Sequence, residues 1–223
     1  MGNIFSASIG RKLIMSISGL FLVIFLLVHL TVNLFMLIGA DAYNIAAHFM
    51  VSNPVIKIME PLLAIGFVVH IIYASILTLQ NQKARPEKYS DRNAANSSSW
   101  QSRNMYILGA TVLTFMVIHI INFYLKIKFG GEGAPEEVLI DGVHMHDTYS
   151  LVVAKFEIWW YVVIYITGAI LLGLHLSHGF WSAFQSIGMS NGPWRTRLSV
   201  IGKVYAIVIA GGFAIIPLYF LLF

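Results

Sequence analysis

The sequence contains five apolar runs, each long enough to cross the hydrocarbon core of a lipid bilayer. A helix rises about 1.5 Å per residue and that core is about 30 Å thick, so about 20 apolar residues span it. The runs cover roughly residues 13–38, 55–79, 105–125, 158–180 and 198–223. With 58% hydrophobic and 11% charged residues, the chain lies far outside the range of soluble domains. We therefore predict an all-α integral membrane protein with five transmembrane helices, forming a single domain over residues 1–223.

The composition excludes several kinds of cofactor and partner. Cysteine is absent, which excludes disulfides, thiolate-bound iron–sulfur clusters and covalently attached c-type haem. Any metal must therefore be held by histidine or by oxygen ligands. The net charge of +4 comes from basic residues at the ends of the apolar runs, with no basic stripe that contains interleaved aromatics. We therefore expect no nucleic-acid partner.

The placement of the basic residues predicts the orientation of the chain. Cytoplasmic loops of membrane proteins carry an excess of Lys and Arg. Ten of the fourteen lie in the N-terminal tail, the 80–104 loop and the 186–203 loop: Arg11, Lys12, Lys83, Arg85, Lys88, Arg92, Arg103, Arg195, Arg197 and Lys203. The N-terminus is therefore expected in the cytoplasm and the C-terminus outside. The polar 80–104 loop is typical either of a linker or of a docking surface for a soluble partner.

Four of the eight histidines lie deep inside four different apolar runs: His29, His70, His119 and His175. An imidazole in hydrocarbon costs free energy unless it is paired or ligated, so it indicates a functional site. One such residue would be explained equally well by an interhelical hydrogen bond. One on each of four helices indicates metal ligands. Iron with two axial imidazoles has no open coordination position, so its chemistry is one-electron transfer.

The depths of these histidines predict how they pair. Counted along the helices, His29 and His119 lie about 14 to 18 Å from the outer ends, and His70 and His175 about 15 to 17 Å from the inner ends. Two ligands of one haem iron approach it at nearly the same level. We therefore predict an outer haem held by His29 and His119 and an inner haem held by His70 and His175. Each ring is expected to give its other N–H to the carbonyl four residues earlier on its own helix.

The remaining histidines leave two alternatives open. His178 lies one turn beyond His175 and could replace it as the inner ligand. His48, His144 and His146 fall in outer loops, where solvated side chains are expected. His144 and His146 could also bind a metal adventitiously or move protons at the external face.

Glycines lie near two of the predicted ligands. Gly66 precedes His70 by about one turn, and Gly168, Gly173 and Gly179 surround His175. A porphyrin between helices needs the close backbone approach that glycine allows. Glycine is also common in membrane helices generally, so both interpretations stay open.

Two sequence runs resemble a known family. The run SIGRKLIM at 8–15, which continues through SGLF at 18–21 to Val28, His29 and Leu30, looks like the diheme cytochrome b558 subunit of succinate:quinone oxidoreductases. The run HLSHGFWSAFQ at 175–185 is similar to the fourth-helix motif of that family. The five helices, the four spaced histidines and the long cytoplasmic loop match as well.

The resemblance has specific implications for cofactors and partners. It implies that the four histidines inside the apolar runs are the axial ligands of two haem b groups and that the quinone is menaquinone. It also implies a flavoprotein subunit and an iron–sulfur subunit docked on the cytoplasmic face of a bacterial inner membrane. This chain would then anchor a succinate dehydrogenase or fumarate reductase and carry no succinate chemistry itself.

The cytoplasmic side also offers donors for the negatively charged haem propionates. The candidates are Arg11, Lys12, Ser16, Trp100 and Arg103. The basic members could instead serve only to orient the chain in the membrane.

A quinone site needs a proton-handling group at the level of a haem. Glu60, at the outer end of the second run, is the carboxylate nearest to the predicted outer haem, and we predict that it contacts the quinone. Glu157, close to Trp159 and Trp160 in the sequence, is the alternative candidate for this quinone contact. That aromatic pair is also typical of the belt at a membrane interface.

Other classes of protein use histidines in membranes. One alternative is another diheme cytochrome b, such as the membrane arm of a hydrogenase or formate dehydrogenase. A ferric reductase is disfavoured because that type tends to place two histidines on each of two helices. A metal or proton transporter would need carboxylates near the histidines at mid-membrane. Glu60 and Glu157 instead lie near the outer ends of their runs.

Overall fold

The computed structural model describes residues 7–84, 99–189 and 191–223. Among these residues, five helices are long and apolar enough to cross a membrane, and we call them spans 1 to 5. They are Ser8–Leu37, Pro54–Lys83, Met105–Phe129, Trp159–Ser186 and Gly192–Leu222. The prediction of an all-α integral membrane protein with five transmembrane helices is confirmed. Residues 85–98 of the predicted cytoplasmic loop lie outside the described part of the chain.

The helices extend beyond the apolar runs at several ends. Span 1 begins at Ser8 and takes in Arg11, whereas the apolar run begins at residue 13. Span 5 begins at Gly192 and takes in Arg195 and Arg197, whereas its run begins at residue 198. Long basic side chains can pack their stems against apolar surface while the charged end stays in water. The apolar runs therefore predict the parts of these helices that lie in hydrocarbon, and the helices extend beyond those runs into polar sequence.

Two spans are not α-helical throughout. Span 1 is α-helical over Ser8–Leu34 and ends in a 3-10 turn at Phe35–Leu37. Span 3 is α-helical over Met105–His119, passes through a π-helical turn at Ile120–Tyr124 and ends in the α-helical segment Leu125–Phe129. A π turn inserts one residue into the helical repeat and is frequent at functional sites. Here it begins directly after His119.

The loops contain regular structure that the sequence analysis did not predict. A helix, Ala40–Ser52, joins spans 1 and 2, and a short helix, Trp100–Arg103, precedes span 3. Between spans 3 and 4, strands Glu137–Ile140 and Val143–His146 form an antiparallel hairpin, followed by the helix Thr148–Phe156.

The hairpin turns at Asp141 and Gly142, and both have positive φ angles, 51° and 77°. An Asp-Gly pair is the residue pair preferred in a two-residue hairpin turn of this kind. This dipeptide was the sequence signal for the hairpin.

A buried asparagine fixes the helix between spans 1 and 2 to the start of the helix before span 4. Asn44 is 2% exposed. Its side-chain oxygen accepts from the Thr148 hydroxyl at 3.0 Å and from the Tyr149 N–H at 2.9 Å, and its amide donates to Asp147 at 3.0 Å. Asp147 also caps the second helix by accepting from the Ser150 N–H at 3.2 Å. Partial burial opposes the charge on Asp147, but the hydrogen bonds from Ser150 and Asn44 outweigh it and lower its pKa.

The chain divides into two compact units. Unit 1 comprises Met1–Phe25, Pro61–Ala110 and Gly173–Ile207, within the described residues. Unit 2 comprises Leu26–Glu60, Thr111–Leu172 and Val208–Phe223. Each unit contains part of every span. The prediction of a single domain stays a prediction.

Each unit has its own packing. In unit 1, the Tyr205 hydroxyl donates to the Val23 carbonyl, and Gly66 lies so close to Phe21 that an added Cβ would be 2.9 Å from its ring. Unit 2 is built around a mainly aromatic and aliphatic cluster: Met36, Tyr43, Phe123, Val152, Phe156, Val162, Tyr165 and Ile216.

Large apolar side chains are exposed along the spans. Ile24 is 64% exposed, Ile65 58%, Val163 54% and Ile207 71%. Contiguous exposed apolar surface on this scale marks a membrane or protein interface. It is the surface expected of a multi-pass membrane protein that is covered by lipid.

Candidate cofactor site: two histidine pairs

The structure brings His29 and His119 together in unit 2. Their ring centroids are 5.7 Å apart and their planes are inclined by 83°. His29 lies on span 1, and His119 lies on span 3 immediately before the π turn. These are the two residues that depth along the helices predicted as partners.

Aromatic rings surround this pair. The Phe115 ring stacks on His119 with centroids 6.1 Å apart, and Phe123 and Tyr165 lie 5.5 and 6.1 Å from the same ring. Phe213 lies 5.4 Å from the His29 ring. These side chains make the surroundings of the pair largely apolar.

One polar side chain also reaches the pair. The Asn33 amide nitrogen lies 3.4 Å from His29 Nδ1 and donates to the His29 carbonyl at 2.8 Å. Asn33 is one turn further along the same helix, so the sequence spacing could have revealed this contact.

The second pair is His70 on span 2 and His175 on span 4, in unit 1. Their ring centroids are 6.4 Å apart and their planes are inclined by 77°. His178, the alternative to His175, has its ring against Trp181, with centroids 5.2 Å apart. The structure thus brings His70 together with His175, as predicted from depth.

The second ring nitrogens of this pair do not bond as predicted. His70 Nδ1 lies 3.5 Å from the Ser18 hydroxyl, which is on span 1. Among the described residues, His175 Nδ1 is buried without a hydrogen-bond partner. The prediction of a carbonyl four residues earlier on the same helix is therefore wrong for His70 and His175. At His70, a side chain of the neighbouring span 1 replaces the contact expected within span 2, whereas His175 has no replacement among the described residues.

Two glycines that the sequence analysis missed lie against the unit 1 pair. A Cβ on Gly19 would be 3.3 Å from His70 Cε1, and a Cβ on Gly109 would be 3.4 Å from His175 Cε1. Spans 1 and 3 therefore each place bare backbone beside one imidazole ring.

The glycines singled out by sequence have other contacts. Added Cβ atoms at Gly168 and Gly179 would meet Phe115 at 2.5 Å and Met105 at 3.1 Å. Together with the approach of Gly66 to Phe21, these contacts show glycines that pack helices against each other.

The spacing within each pair fits a metal between the rings. An imidazole nitrogen lies about 2 Å from a first-row metal and about 1 Å from its own ring centre, so two ligands on opposite sides place their centroids about 6 Å apart. The observed separations are 5.7 and 6.4 Å.

The number of protein side chains that could bind one metal ion also indicates the kind of site. Among the described residues, no three His, Asp or Glu side chains converge as a metal site, whereas a zinc site takes at least three protein ligands. A pair of imidazoles fits a haem, whose macrocycle supplies the other iron ligands.

Comparison with known proteins gives one informative relative. Over 181 residues the chain is 25% identical to the succinate dehydrogenase cytochrome b558 subunit of Bacillus subtilis (strain 168). The alignment covers 79% of this chain and 78% of that protein. This chain is a homologue of a cytochrome b558 subunit. The resemblance seen in the two sequence runs is therefore confirmed. No family model and no solved structure matches the chain.

In this cytochrome b558 homologue, the residues predicted to meet haem propionates all lie in unit 1, which also holds His70 and His175. Ser16 is buried, at 4% exposure, and the Nε atom of Arg11 is also buried. Lys12, Trp100 and Arg103 are exposed. The structure therefore turns Ser16 and part of Arg11 toward the interior of unit 1, while the other three side chains face outward.

Glu60, the predicted quinone contact, lies in unit 2 and is paired with two side chains of span 3. Lys128 Nζ is 2.8 Å from Glu60 Oε2, and the Tyr124 hydroxyl donates to Oε1. About a third of the Glu60 side chain is exposed. Its competitor Glu157 is exposed beside Trp159, which is 67% exposed as expected for an interfacial belt.

A shallow groove of about 220 Å³ lies between spans 3 and 4 in unit 2. Its lining residues include Thr111, Thr114, Thr167 and Phe115. Because Phe115 stacks on His119, one aromatic ring separates the groove from the unit 2 pair. None of the residues that line it is titratable.

Proposed function

We propose that this chain is the membrane anchor and diheme cytochrome b subunit of a succinate:menaquinone oxidoreductase or a menaquinol:fumarate reductase. It would carry electrons between menaquinone and the iron–sulfur subunit, while succinate chemistry stays on the flavoprotein. The observation that carries the proposal is the presence of two histidine pairs, with ring centroids 5.7 and 6.4 Å apart, in a homologue of a succinate dehydrogenase cytochrome b558 subunit.

The four histidines would each bind iron through one ring nitrogen. His29 and His119 would hold the outer haem b, and His70 and His175 the inner one. A haem with both axial positions filled by imidazole supplies one-electron transfer. The aromatic rings around His119 make the outer site largely apolar, and a low local dielectric is one of the features that tune a haem potential.

The charge distribution of the two units supports the proposed orientation. Among the described residues, the charged side chains of unit 1 are all basic: Arg11, Lys12, Lys83, Arg103, Arg195, Arg197 and Lys203. The described carboxylates all belong to unit 2. By the positive-inside rule, the loops of unit 1 face the cytoplasm. The flavoprotein and iron–sulfur subunits would dock there.

Glu60 is the better candidate for the quinone site. Reduction of a quinone to a quinol takes two electrons and two protons, so the site needs a group that can handle protons. Tyr124 and Lys128 of span 3 both bind the carboxylate of Glu60, which lies on span 2. The groove between spans 3 and 4 is lined by threonines but has no titratable lining residue.

The test is isolation of the complex by a tag on this chain. The proposal predicts red protein that co-purifies with succinate dehydrogenase activity and reduces a menaquinone analogue with succinate. A colourless preparation would favour the transporter alternative. Two b haems without succinate dehydrogenase activity would indicate another quinone-linked dehydrogenase.

A further inference from the structure

A buried serine on span 1 links the His70 ring to the backbone of a neighbouring helix. Ser18 is 8% exposed. Its hydroxyl donates to the Met15 carbonyl at 2.9 Å and lies 3.5 Å from His70 Nδ1. The Ser18 hydroxyl therefore lies between the backbone of span 1 and a ring nitrogen of span 2.

The His175 ring of the same pair has no such oxygen near its Nδ1 in the described part of the chain. Among the described residues, His175 Nδ1 is buried and has no hydrogen-bond partner. Gly109 of span 3 lies close to it, and a Cβ added there would be 3.8 Å from that nitrogen. Within this pair, a side-chain oxygen therefore lies near Nδ1 of His70, whereas Nδ1 of His175 has no partner among the described residues.

The direction of these hydrogen bonds follows from the chemistry of the hydroxyl. A serine has one proton to donate and two lone pairs that accept. Because the Ser18 proton goes to the Met15 carbonyl, its lone pairs are free to accept from a protonated His70 Nδ1. That arrangement fixes the tautomer and leaves Nε2 as the nitrogen that can bind a metal.

We propose that Ser18 is a positioning residue for the His70–His175 haem site. Its hydroxyl, bonded to the Met15 carbonyl, sets the orientation and basicity of the His70 imidazole and thereby the reduction potential of the inner haem. This inference rests on the proposed function, because it requires a haem at that pair. It goes beyond the proposed function in assigning the tuning of one haem to a named side chain.

The test is a redox titration of the purified complex that carries Ser18→Ala. We expect the haem that His70→Ala removes to titrate at a more positive potential, because its ligand loses an oxygen that stabilises the ferric state. The other haem keeps its potential. The low-temperature EPR signal of the shifted haem should also change, because the His70 ring is freer to turn. Ser18→Thr keeps the hydroxyl and should restore both readouts.

Ser177 provides a matched control. Its hydroxyl donates to the Leu174 carbonyl at 2.8 Å, the same bond to a residue three positions earlier that Ser18 makes. Ser177→Ala should leave both potentials unchanged.

Four outcomes decide the inference. A shift confined to one haem, or loss of that haem alone, supports it. Unchanged potentials in Ser18→Ala would overturn it, as would an equal shift in Ser177→Ala. Finding two b haems in the unsubstituted complex tests the proposed function separately, so that result can stand while the role of Ser18 fails.

Discussion

His29 and His119 come from different spans, yet their ring centroids lie 5.7 Å apart in unit 2. His70 and His175 stand 6.4 Å apart in unit 1. Each pair lies within a single unit. The loss of one histidine should therefore disturb one site and leave the other intact.

Alanine substitution of the four histidines should give only two phenotypes. His29→Ala and His119→Ala should lose the same haem, and His70→Ala and His175→Ala should lose the other. Haem content would fall from two per chain to about one, because one imidazole holds a haem iron less firmly than two. Pyridine haemochrome assay and reduced-minus-oxidised spectra measure the loss.

A histidine outside the pairs gives the control for this series. The His144 side chain is 73% exposed on the hairpin, so His144→Ala should keep both haems. If His29→Ala and His70→Ala lose the same haem, the pairing is wrong.

Enlarging Gly109 should damage the inner site. A Cβ there would already touch His175 at 3.4 Å, so the two methyl groups of Gly109→Val would press on the ring. We expect reduced content of the inner haem and an unchanged outer haem, measured by the same spectra. Gly211 on span 5 has nothing within 4 Å of an added Cβ, so Gly211→Val is the control. Full inner haem in Gly109→Val would show that close backbone approach is not needed.

Glu60→Gln should slow reaction with quinone while leaving the haems in place. General acid–base groups contribute about 10²- to 10⁴-fold to rates, so we expect the quinone-dependent rate to fall at least about tenfold. Succinate oxidation with an artificial acceptor that bypasses the membrane subunit should be unchanged. Glu157→Gln is the matched control, and a larger loss in that variant would move the quinone site to Glu157.

Acid should weaken the contact between Asn44 and Asp147, which joins the helix Ala40–Ser52 to the helix Thr148–Phe156. Hydrogen bonds from Ser150 and Asn44 lower the pKa of Asp147 in the folded state. The charged carboxylate therefore stabilises the fold fully at pH values above the usual carboxyl pKa. That contribution is lost as the pH falls through the lowered pKa. The melting temperature of the complex should therefore fall below about pH 4.

Two substitutions separate the charge of Asp147 from its capping role. Asp147→Asn keeps a side chain that caps the helix, so it should retain most stability at pH 7 but show a smaller change in acid. Asp147→Ala should lose about 1 kcal/mol at pH 7 because the cap is gone. Glu132→Gln, at an exposed carboxylate, is the control. The same acid transition in Asp147→Asn as in the unsubstituted protein would assign that transition to another group.

The sequence was sufficient to predict the spans and which histidines lie together, because both depend on simple periodic quantities. Hydropathy locates hydrocarbon, and the rise per residue converts a position such as His119 into a depth. Neither quantity says which faces of different helices meet. The contacts of Gly19 and Ser18 with His70, and of Gly109 with His175, therefore became visible only in the structure.

Short sequence signals were sufficient to predict only some of the local structure. The Asp141-Gly142 turn carries a recognisable hairpin signature, but a search for long apolar runs passes over strands of four residues. The π turn after His119 has no comparable signature in the residues Ile120–Tyr124. The hydrogen-bond partner of His70 was wrongly predicted because tertiary contact with span 1 replaced the contact expected within span 2.

The central claim is that this single chain binds two b-type haems, each between the two histidines of one pair. The most direct measurement is pyridine haemochrome assay of the purified complex against the quantified chain, combined with a redox titration followed optically. The account predicts two haem b per chain and two titrating components. One haem or none per chain would contradict it.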